Sequence, residues 1–325
     1  MSFPRLCAFV LALLLSTQSP LQATPAVDSA RQLMINGDVD AAIHTLQASI
    51  SANPSSPDEH NLLCRIQFLE ERWEAAVGEC ERAVALNPNS SMNQLWLGRA
   101  YGEKAEHSSW FTAIGLAKKA HSAFEKAVAL DPNNVEARSD LSEYYIEAPG
   151  FLGGGVDKAV AQANIVEKLA PATSFWIRAR IAEHQKRNGD AEQDYKKVLE
   201  LGNNPPRHLF DLALFYRRVN RVDELESTIE KSASLNTQSD STLVDSASLL
   251  LQAGRNLPLA IDLLHRYIDH GTRSEDAPIF QAQYLLGQIL EKTGDLKGAK
   301  QAYQMAHARA SDYNPATIAL KRLGA

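Results

Sequence analysis

The chain lacks most of the sequence features that mark catalytic or metal sites. It has only three cysteines in 325 residues, and no Cys-x-x-Cys pair that would indicate a redox or haem-attachment site. Its nine histidines never occur as His-x3-His or His-Glu-x2-His, so no zinc site is indicated. Gly-x-Ser-x-Gly and a Walker-type phosphate loop are also missing. We therefore predict a protein without cofactor, metal or catalytic residues, unless an active site is assembled across distant segments.

Charge and hydropathy narrow the class of partner. The formal net charge is −6 and neither sign forms a long run. Nucleic acid is thus not expected as a partner, because neutralising phosphates requires a clustered basic face. The hydrophobic content of 45% is typical of an ordered fold rather than a disordered chain.

The one long apolar run lies at the N-terminus. Arg5 precedes ten apolar residues, Leu6 to Leu15, and Pro20 and then Ala23 follow. This is the layout of a secretory signal peptide covering residues 1–23. The run is about half as long as a bilayer-spanning helix requires, which disfavours the alternative, an uncleaved anchor. We expect an exported protein, periplasmic or secreted, that is soluble after cleavage.

The rest of the chain contains a repeated helical motif. Ala is followed by an apolar residue at +4, a small residue at +7 and Pro at +12. The +4 and +7 positions share one face of a helix, and Pro ends that helix. The motif occurs as Ala42-Leu46-Ser49-Pro54, Ala76-Cys80-Ala83-Pro88, Ala120-Phe124-Ala127-Pro132 and Ala159-Ala163-Val166-Pro171.

A second signature precedes this motif and predicts a partner helix. It reads Leu97-Gly98-x2-Tyr101, Leu141-Ser142-x2-Tyr145, Leu212-Ala213-x2-Tyr216 and Leu286-Gly287-x2-Leu290. Pro54 and Pro88 lie 34 residues apart, which is the period of the tetratricopeptide repeat (TPR). In these motifs the mature chain resembles bacterial exported TPR proteins over nearly all its length. The resemblance implies an all-α, right-handed superhelical solenoid of helix-turn-helix units that binds protein partners in a concave groove.

The register divides the mature chain into about eight units. Residues 24–313 form the repeat array, and residues 314–325 form a C-terminal capping helix. Each unit is expected to pack only on its neighbours, and unit five is expected to have a short second helix within 189–198. A coiled coil is disfavoured because its heptads run without interruption. The units begin near residues 24, 57, 91, 135, 174, 206, 240 and 280.

Two insertions interrupt the period, near 103–114 in unit three and near 148–155 in unit four. Insertions in adjacent repeats often project from one face, frequently the binding face. Alternatively the two insertions pack on each other and lengthen the core, because large exposed apolar patches are unusual on monomers. Both interpretations concern the apolar side chains placed where a turn is otherwise expected, namely Trp110, Phe111, Phe151 and Leu152.

The two cysteines of the mature chain both fall in unit two. Cys64 takes the small-residue place of Gly98, and Cys80 takes the large-residue place of Phe124. Helix axes about 8 Å apart leave facing Cα atoms about 3.5–5.5 Å apart, which overlaps the disulfide range of about 4.4–6.8 Å. Because export implies an oxidising compartment, we predict a Cys64–Cys80 disulfide, with two buried thiols as the alternative.

The same register predicts the side chains that line the concave groove. Arg65 and Arg99 take matching places in successive units, where two guanidiniums would suit an acidic peptide or a carboxylate. Alternatively they are solvated charges, or they pair within the groove with Glu143 of the next unit. The full set expected to face the groove is Arg65, Arg99, Glu143, Glu183, Phe210, Leu214, Arg217 and Tyr284.

Three functions are compatible with these observations. The first is a noncatalytic scaffold of the cell envelope that holds a peptide or protein in its groove. The second is an enzyme or accessory subunit that acts on envelope polymers, for which Glu143 and Glu183 are the candidate carboxylates. The third is an assembly factor for an envelope or secretion complex that uses the apolar insertions.

Overall fold

The computed structural model describes residues 24–238, 240–275 and 277–324, so the predicted signal peptide lies outside the described residues. These ranges contain 17 α-helices and one 3₁₀ turn, which confirms the predicted all-α solenoid. Within them, no helix is both long and apolar enough to cross a membrane. The helices are α1 Pro25–Asn36, α2 Val39–Ala52, α3 Pro57–Leu69, α4 Trp73–Leu86, α5 Ser91–Glu106, α6 Trp110–Leu130, α7 Val135–Glu147, α8 Val156–Val166, α9 Pro171–His184, α10 Asn188–Leu201, α11 Pro205–Arg218, α12 Val222–Leu235, α13 Thr242–Ala253, α14 Leu257–His270, α15 Ile279–Thr293, α16 Leu296–Arg309 and α17 Asn314–Arg322.

The helices α1 to α16 form eight hairpins in chain order, and α17 packs on α16. The first helices of successive hairpins contact one another more closely than the second helices do. The first helices therefore form the concave side of the array, which we call the inner surface. The fifth hairpin begins at Pro171 rather than near 174, because this proline occupies the first turn of α9, where its missing N–H costs nothing.

Two sequence predictions about helix lengths are wrong. The second helix of unit five is not short: α10 has 14 residues and begins at Asn188, because Lys186, with a φ of 60°, makes the turn and leaves Gly189 inside the helix. The insertion near 103–114 is not an enlarged turn either. Its residues lengthen α5 to Glu106, and α6 begins at Trp110, so the third hairpin is longer than its neighbours.

Hairpin packing depends on a small residue in the first helix facing a large one in the second. A Cβ atom on Gly98 would lie 2.5 Å from the Phe124 ring, and one on Gly287 would lie 2.5 Å from the Tyr303 ring. In unit two the same place is filled by the Cys64–Cys80 disulfide, whose Cα atoms are 5.3 Å apart. The disulfide therefore replaces the glycine–aromatic contact of other units.

We expect Gly98→Ala to lower the free energy of unfolding by about 1–3 kcal/mol, because the added methyl group displaces the buried Phe124 ring. Urea denaturation measures this change. The matched control is Gly102→Ala in the same helix, where a Cβ atom meets nothing within 4 Å. Removing a helical glycine there should be neutral or stabilising by up to about 1 kcal/mol; equal losses in both variants would contradict the contact with Phe124.

The first and last hairpins also contact each other, contrary to the expectation that each unit packs only on its neighbours. Phe280 and Tyr313 lie in one apolar cluster with Val27, Met34 and Leu62 of α1 and α3. The physical reason is that the eight hairpins curve far enough to bring the two ends together, and the ends then bury their apolar faces against each other. The array is therefore a closed ring, and we call the contact between its ends the seam.

Candidate functional site

A groove of about 640 Å³ lies on the inner surface where the second, third and fourth hairpins meet. Side chains of α3, α5 and α7 form its walls, and the Phe124 ring of α6 forms its floor. It extends along the part of α5 that the insertion lengthened, so the insertion contributes to the inner surface. The lining residues are Phe68, Leu69, Trp96, Arg99, Gly102, Glu103, Glu106, Phe124, Glu136, Asp140, Glu143, Tyr144 and Glu147.

The apolar part of the groove centres on Trp96. The Arg65 and Arg99 guanidiniums lie 4.9 Å and 4.7 Å from the centroid of its ring, so both make cation–π contacts with it. Phe68 meets Trp96 edge to face at a centroid distance of 5.7 Å. These aromatic rings give the groove a rigid apolar surface.

Both arginines are already bound to carboxylates of the protein. Arg99 Nε donates to Asp140 at 2.6 Å and Arg99 Nη2 donates to Glu136 at 2.8 Å. Arg65 Nη2 lies 2.8 Å from Glu275 Oε2, near the seam. The partners are not Glu143, which the register suggested, because the next helix turns Asp140 and Glu136 towards Arg99.

Acidic side chains dominate the rim of the groove. Six carboxylates line it against one arginine, and the next hairpin supplies Arg180, which binds Glu143 at 2.5 Å and Glu147 at 2.9 Å. Glu103 and Glu106 lie on the lengthened end of α5. Burial raises the pKa of Glu103, and the neighbouring Glu106 raises it further. The groove therefore retains excess negative charge next to an apolar floor.

The other predicted groove residues are distributed along the inner surface. Glu183 accepts hydrogen bonds from Arg180, Arg218 and Tyr195; burial opposes ionisation, but Arg218 and Arg180 hold the pKa of Glu183 below its ordinary value. Arg217 donates to Gln252. These side chains are thus members of polar networks within the array.

Three of the remaining predicted residues contact other parts of the protein. Tyr284 packs against the Tyr303 and Tyr313 rings near the seam. Phe210 does not face the groove: it is buried in the apolar core, and Leu214 packs against the same core. The reason is that α11 contacts both α12 and α13, which covers most of its apolar surface.

The side chains of the two insertions are exposed rather than packed on each other. Trp110 is 68% exposed, Phe111 87% and Phe151 65%, so the alternative in which they lengthen the core is wrong for these three. The 3₁₀ turn Gly150–Leu152 instead contacts α6, and Leu152 is half-buried and accepts a hydrogen bond from Tyr144.

Sequence reasoning missed the acidic character of the groove, although the signal was present. Trp96, Arg99, Glu103 and Glu106 are spaced by three or four residues along α5, and this spacing places them on one helix face. The insertion near 103–114 predicts an enlarged turn, and a turn does not place Glu103 and Glu106 on that face.

The comparisons with known proteins agree with this architecture. The tetratricopeptide repeat model matches residues 27–91 and 244–315. These two segments carry tetratricopeptide repeats. The two matched segments cover the first, second, seventh and eighth hairpins, so the third and fourth hairpins, which carry most of the groove, lie in the stretch 92–243 that the model does not match. Comparison with curated proteins found no match.

Solved TPR structures are similar in fold. Yeast Tom70 is 16% identical, with 95% of this chain and 66% of that chain covered and a TM-score of 0.56. A thermophilic TPR protein of Thermus thermophilus is 21% identical over 62% of this chain and 97% of its own, with a TM-score of 0.48. A TPR protein of Parabacteroides merdae is 12% identical over 92% and 98%, with a TM-score of 0.44. At 16% identity the likeness to Tom70, the one of these three with a TM-score above 0.5, shows the fold alone.

Proposed function

We propose that this protein is an exported, noncatalytic scaffold whose acidic groove holds a cationic, partly apolar segment of a partner protein. The TPR fold is that of a protein-interaction scaffold. The observation that carries the proposal is the lining of the groove, in which six carboxylates surround a floor of aromatic rings. A lysine or arginine side chain has an apolar stem and a charged end, and this lining matches both parts.

The groove favours a cationic over an acidic occupant. An acidic segment would have to displace Asp140 and Glu136 from Arg99 and would then face the uncompensated Glu103 and Glu106. A cationic segment leaves those ion pairs intact and pairs with carboxylates that are not engaged by Arg99 or Arg180. Complementary charge of this kind mainly determines which partner is accepted and how fast it associates.

Two sequence features support export. The segment 1–23 has the layout of a signal peptide, and the Cys64–Cys80 disulfide suits an oxidising compartment. The alternative function, assembly of an envelope complex through the insertions, is favoured by the exposure of Trp110 and Phe111. Among the described residues the two candidate carboxylates do not favour an enzyme, because Glu143 and Glu183 are both held by Arg180.

Reversing two charges in the groove should weaken binding of a cationic peptide. The probe is a fluorescein-labelled peptide of alternating Lys and Leu, with an acidic Glu-Leu peptide of equal length for comparison. Fluorescence anisotropy with Glu103→Lys/Glu106→Lys should give about tenfold to hundredfold weaker binding, because about 1.4 kcal/mol corresponds to tenfold. Binding by the unmodified protein should also weaken as salt is raised.

The matched control has the same change of net charge on the outer side of the ring. Glu200→Lys/Glu230→Lys alters exposed residues of α10 and α12 and should leave the dissociation constant within about twofold. Tighter binding of the acidic peptide would contradict the proposal and favour Arg65 and Arg99 as anchors. Crosslinking in an envelope extract tests the alternative function, assembly through the insertions. If Trp110→Ala/Phe111→Ala loses the crosslinked partner and Glu103→Lys/Glu106→Lys keeps it, the partner binds the insertions rather than the groove.

A further inference from the structure

The seam joins two separate parts of the chain. On one side lie the turn between α1 and α2, the first turn of α2, and the end of α3 with the turn after it. On the other lie the segment before α15, the first turn of α15, and the turn between α16 and α17. The main-chain N–H of Ser311 donates to Asp40 at 3.0 Å, and Gln281 Nε2 donates to the carbonyl of Leu69 at 2.7 Å. Arg72 Nη1 lies 2.5 Å from Asp312 Oδ2. Each contact joins residues more than 200 positions apart.

The elements that meet at the seam carry many buried polar atoms without a hydrogen-bond partner. Away from these elements such atoms are few among the described residues, at His121 and His208. A buried polar atom of this kind is unfavourable because its hydrogen bonds to water are lost and not replaced, and this offsets part of the stabilisation from the apolar contact between the ends. Arg31 Nε, on a side chain that pairs with Glu275 across the seam, and Glu70 Oε1, near Asp312 and Asp40, lie at the seam itself. Other such atoms in the described ranges are on the same elements: Glu59 Oε2, Asn61 Nδ2 and Gln67 Oε1 on α3, Ser274 Oγ before α15, and Oε1 and Nε2 of Gln283 on α15.

We propose that the seam is a reversible clasp, at which the last hairpin and α17 separate from the first two hairpins while the repeats between them stay folded. Opening returns the buried polar atoms of Arg31 and Glu70 to water, and small rotations between successive hairpins accumulate into a large displacement at the ends. The inference concerns the conformation of the ring, so it goes beyond the proposed function.

One group at the seam makes the clasp sensitive to pH. Burial raises the pKa of Glu70 to about 7, and Arg72 opposes this rise. Asp312 and Asp40, which lie on opposite sides of the seam, raise the pKa further. Arg72 is the cation nearest to it, 3.4 Å from Glu70 Oε2. The closed ring therefore binds a proton that the open ring, with an ordinary glutamate pKa, releases. Closure is favoured at about pH 5.5 and is weakened as pH rises through about 7.

The test measures the distance across the seam in single molecules. Donor and acceptor dyes on Gln47→Cys and Gln304→Cys label exposed positions of α2 and α16, while the native cysteines are protected as the disulfide. We expect two transfer-efficiency populations, with the open-to-closed ratio rising up to about thirtyfold between about pH 5.5 and pH 8. Glu70→Gln, which cannot ionise, should remove this pH response.

The control pair lies on one side of the seam. Dyes on Gln47→Cys and Arg82→Cys, on α2 and α4, should give one population at every pH, because these hairpins move together. A single high-efficiency population across the seam that does not change with pH would overturn the clasp. So would an equal pH response in the Glu70→Gln variant.

The clasp has a consequence for binding that rests on the proposed function. Asp40→Cys/Ser311→Cys places two thiols at the seam, and a short crosslinker between them should lock the ring closed. The locked ring should still bind the free Lys-Leu peptide but not the same peptide fused between two folded domains. Binding of the fused peptide by the locked ring would refute entry through the seam, whereas failure of the free peptide to bind either form would refute the acidic groove alone.

Discussion

Replacing Phe280 with alanine is expected to lower the free energy of unfolding by about 3–5 kcal/mol and to open the ring. The side chain is 1% exposed and belongs to the apolar cluster that joins α15 to α1 and α3. Its ring meets that of Tyr313 at a centroid distance of 5.0 Å. Truncation leaves a cavity between the two ends, and the partnerless polar atoms nearby then favour separation. Urea denaturation measures the first effect and small-angle X-ray scattering the second.

Phe215→Ala is the matched control for ring opening. Phe215 is fully buried in the core around α11 and lies far along the chain from the seam. Its truncation should also lower the free energy of unfolding by about 3–5 kcal/mol, but should leave the radius of gyration unchanged. The prediction is contradicted if, at urea concentrations below the unfolding transition, the Phe280→Ala variant and the unmodified protein give equal scattering curves. The closed seam would then not depend on the Phe280 side chain.

The local features of the fold were predictable because they depend on short-range spacing. The Ala-x3-apolar-x2-small motif and the prolines identify the second helices, and the register alone places Cys64 opposite Cys80. The lengths of α5 and α10 were not predictable in this way. The insertion near 103–114 predicts an enlarged turn, but only residues 107–109 lie between α5 and α6, and the turn of unit five forms at Lys186, with a positive φ, instead of at Gly189.

The ring closure could not be predicted from one repeat at a time. Each unit adds a small rotation, and only their sum decides whether the ends meet. Phe280 and Tyr313 occupy ordinary apolar positions in the sequence, so nothing in their local pattern distinguishes a seam from an internal contact. The acidic groove could not be predicted for a related reason. Its carboxylates come from two helices, and whether they converge depends on how the third and fourth hairpins pack.

Loss of the Cys64–Cys80 disulfide should lower the free energy of unfolding by about 3 kcal/mol, within a usual range of about 2–5 kcal/mol. The bond closes a loop with a sequence separation of 16, and cross-linking such a loop restricts the unfolded chain. After the bond is lost, no other contact replaces it. A cysteine side chain is too small to fill the space that the Phe124 ring fills opposite Gly98 in the third hairpin. Urea denaturation with and without dithiothreitol measures the change.

The double variant Cys64→Ala/Cys80→Ala separates the cross-link from the reagent. It should be less stable than the oxidised protein by a similar or larger amount, because both sulfur atoms leave a fully buried site, and it should not respond to dithiothreitol. Because Arg65 follows Cys64 directly and stacks on Trp96, loosening this hairpin should also weaken binding of the Lys-Leu peptide, by less than the charge reversal in the groove. An unfolding midpoint that is the same in the oxidised and reduced protein would contradict a stabilising disulfide.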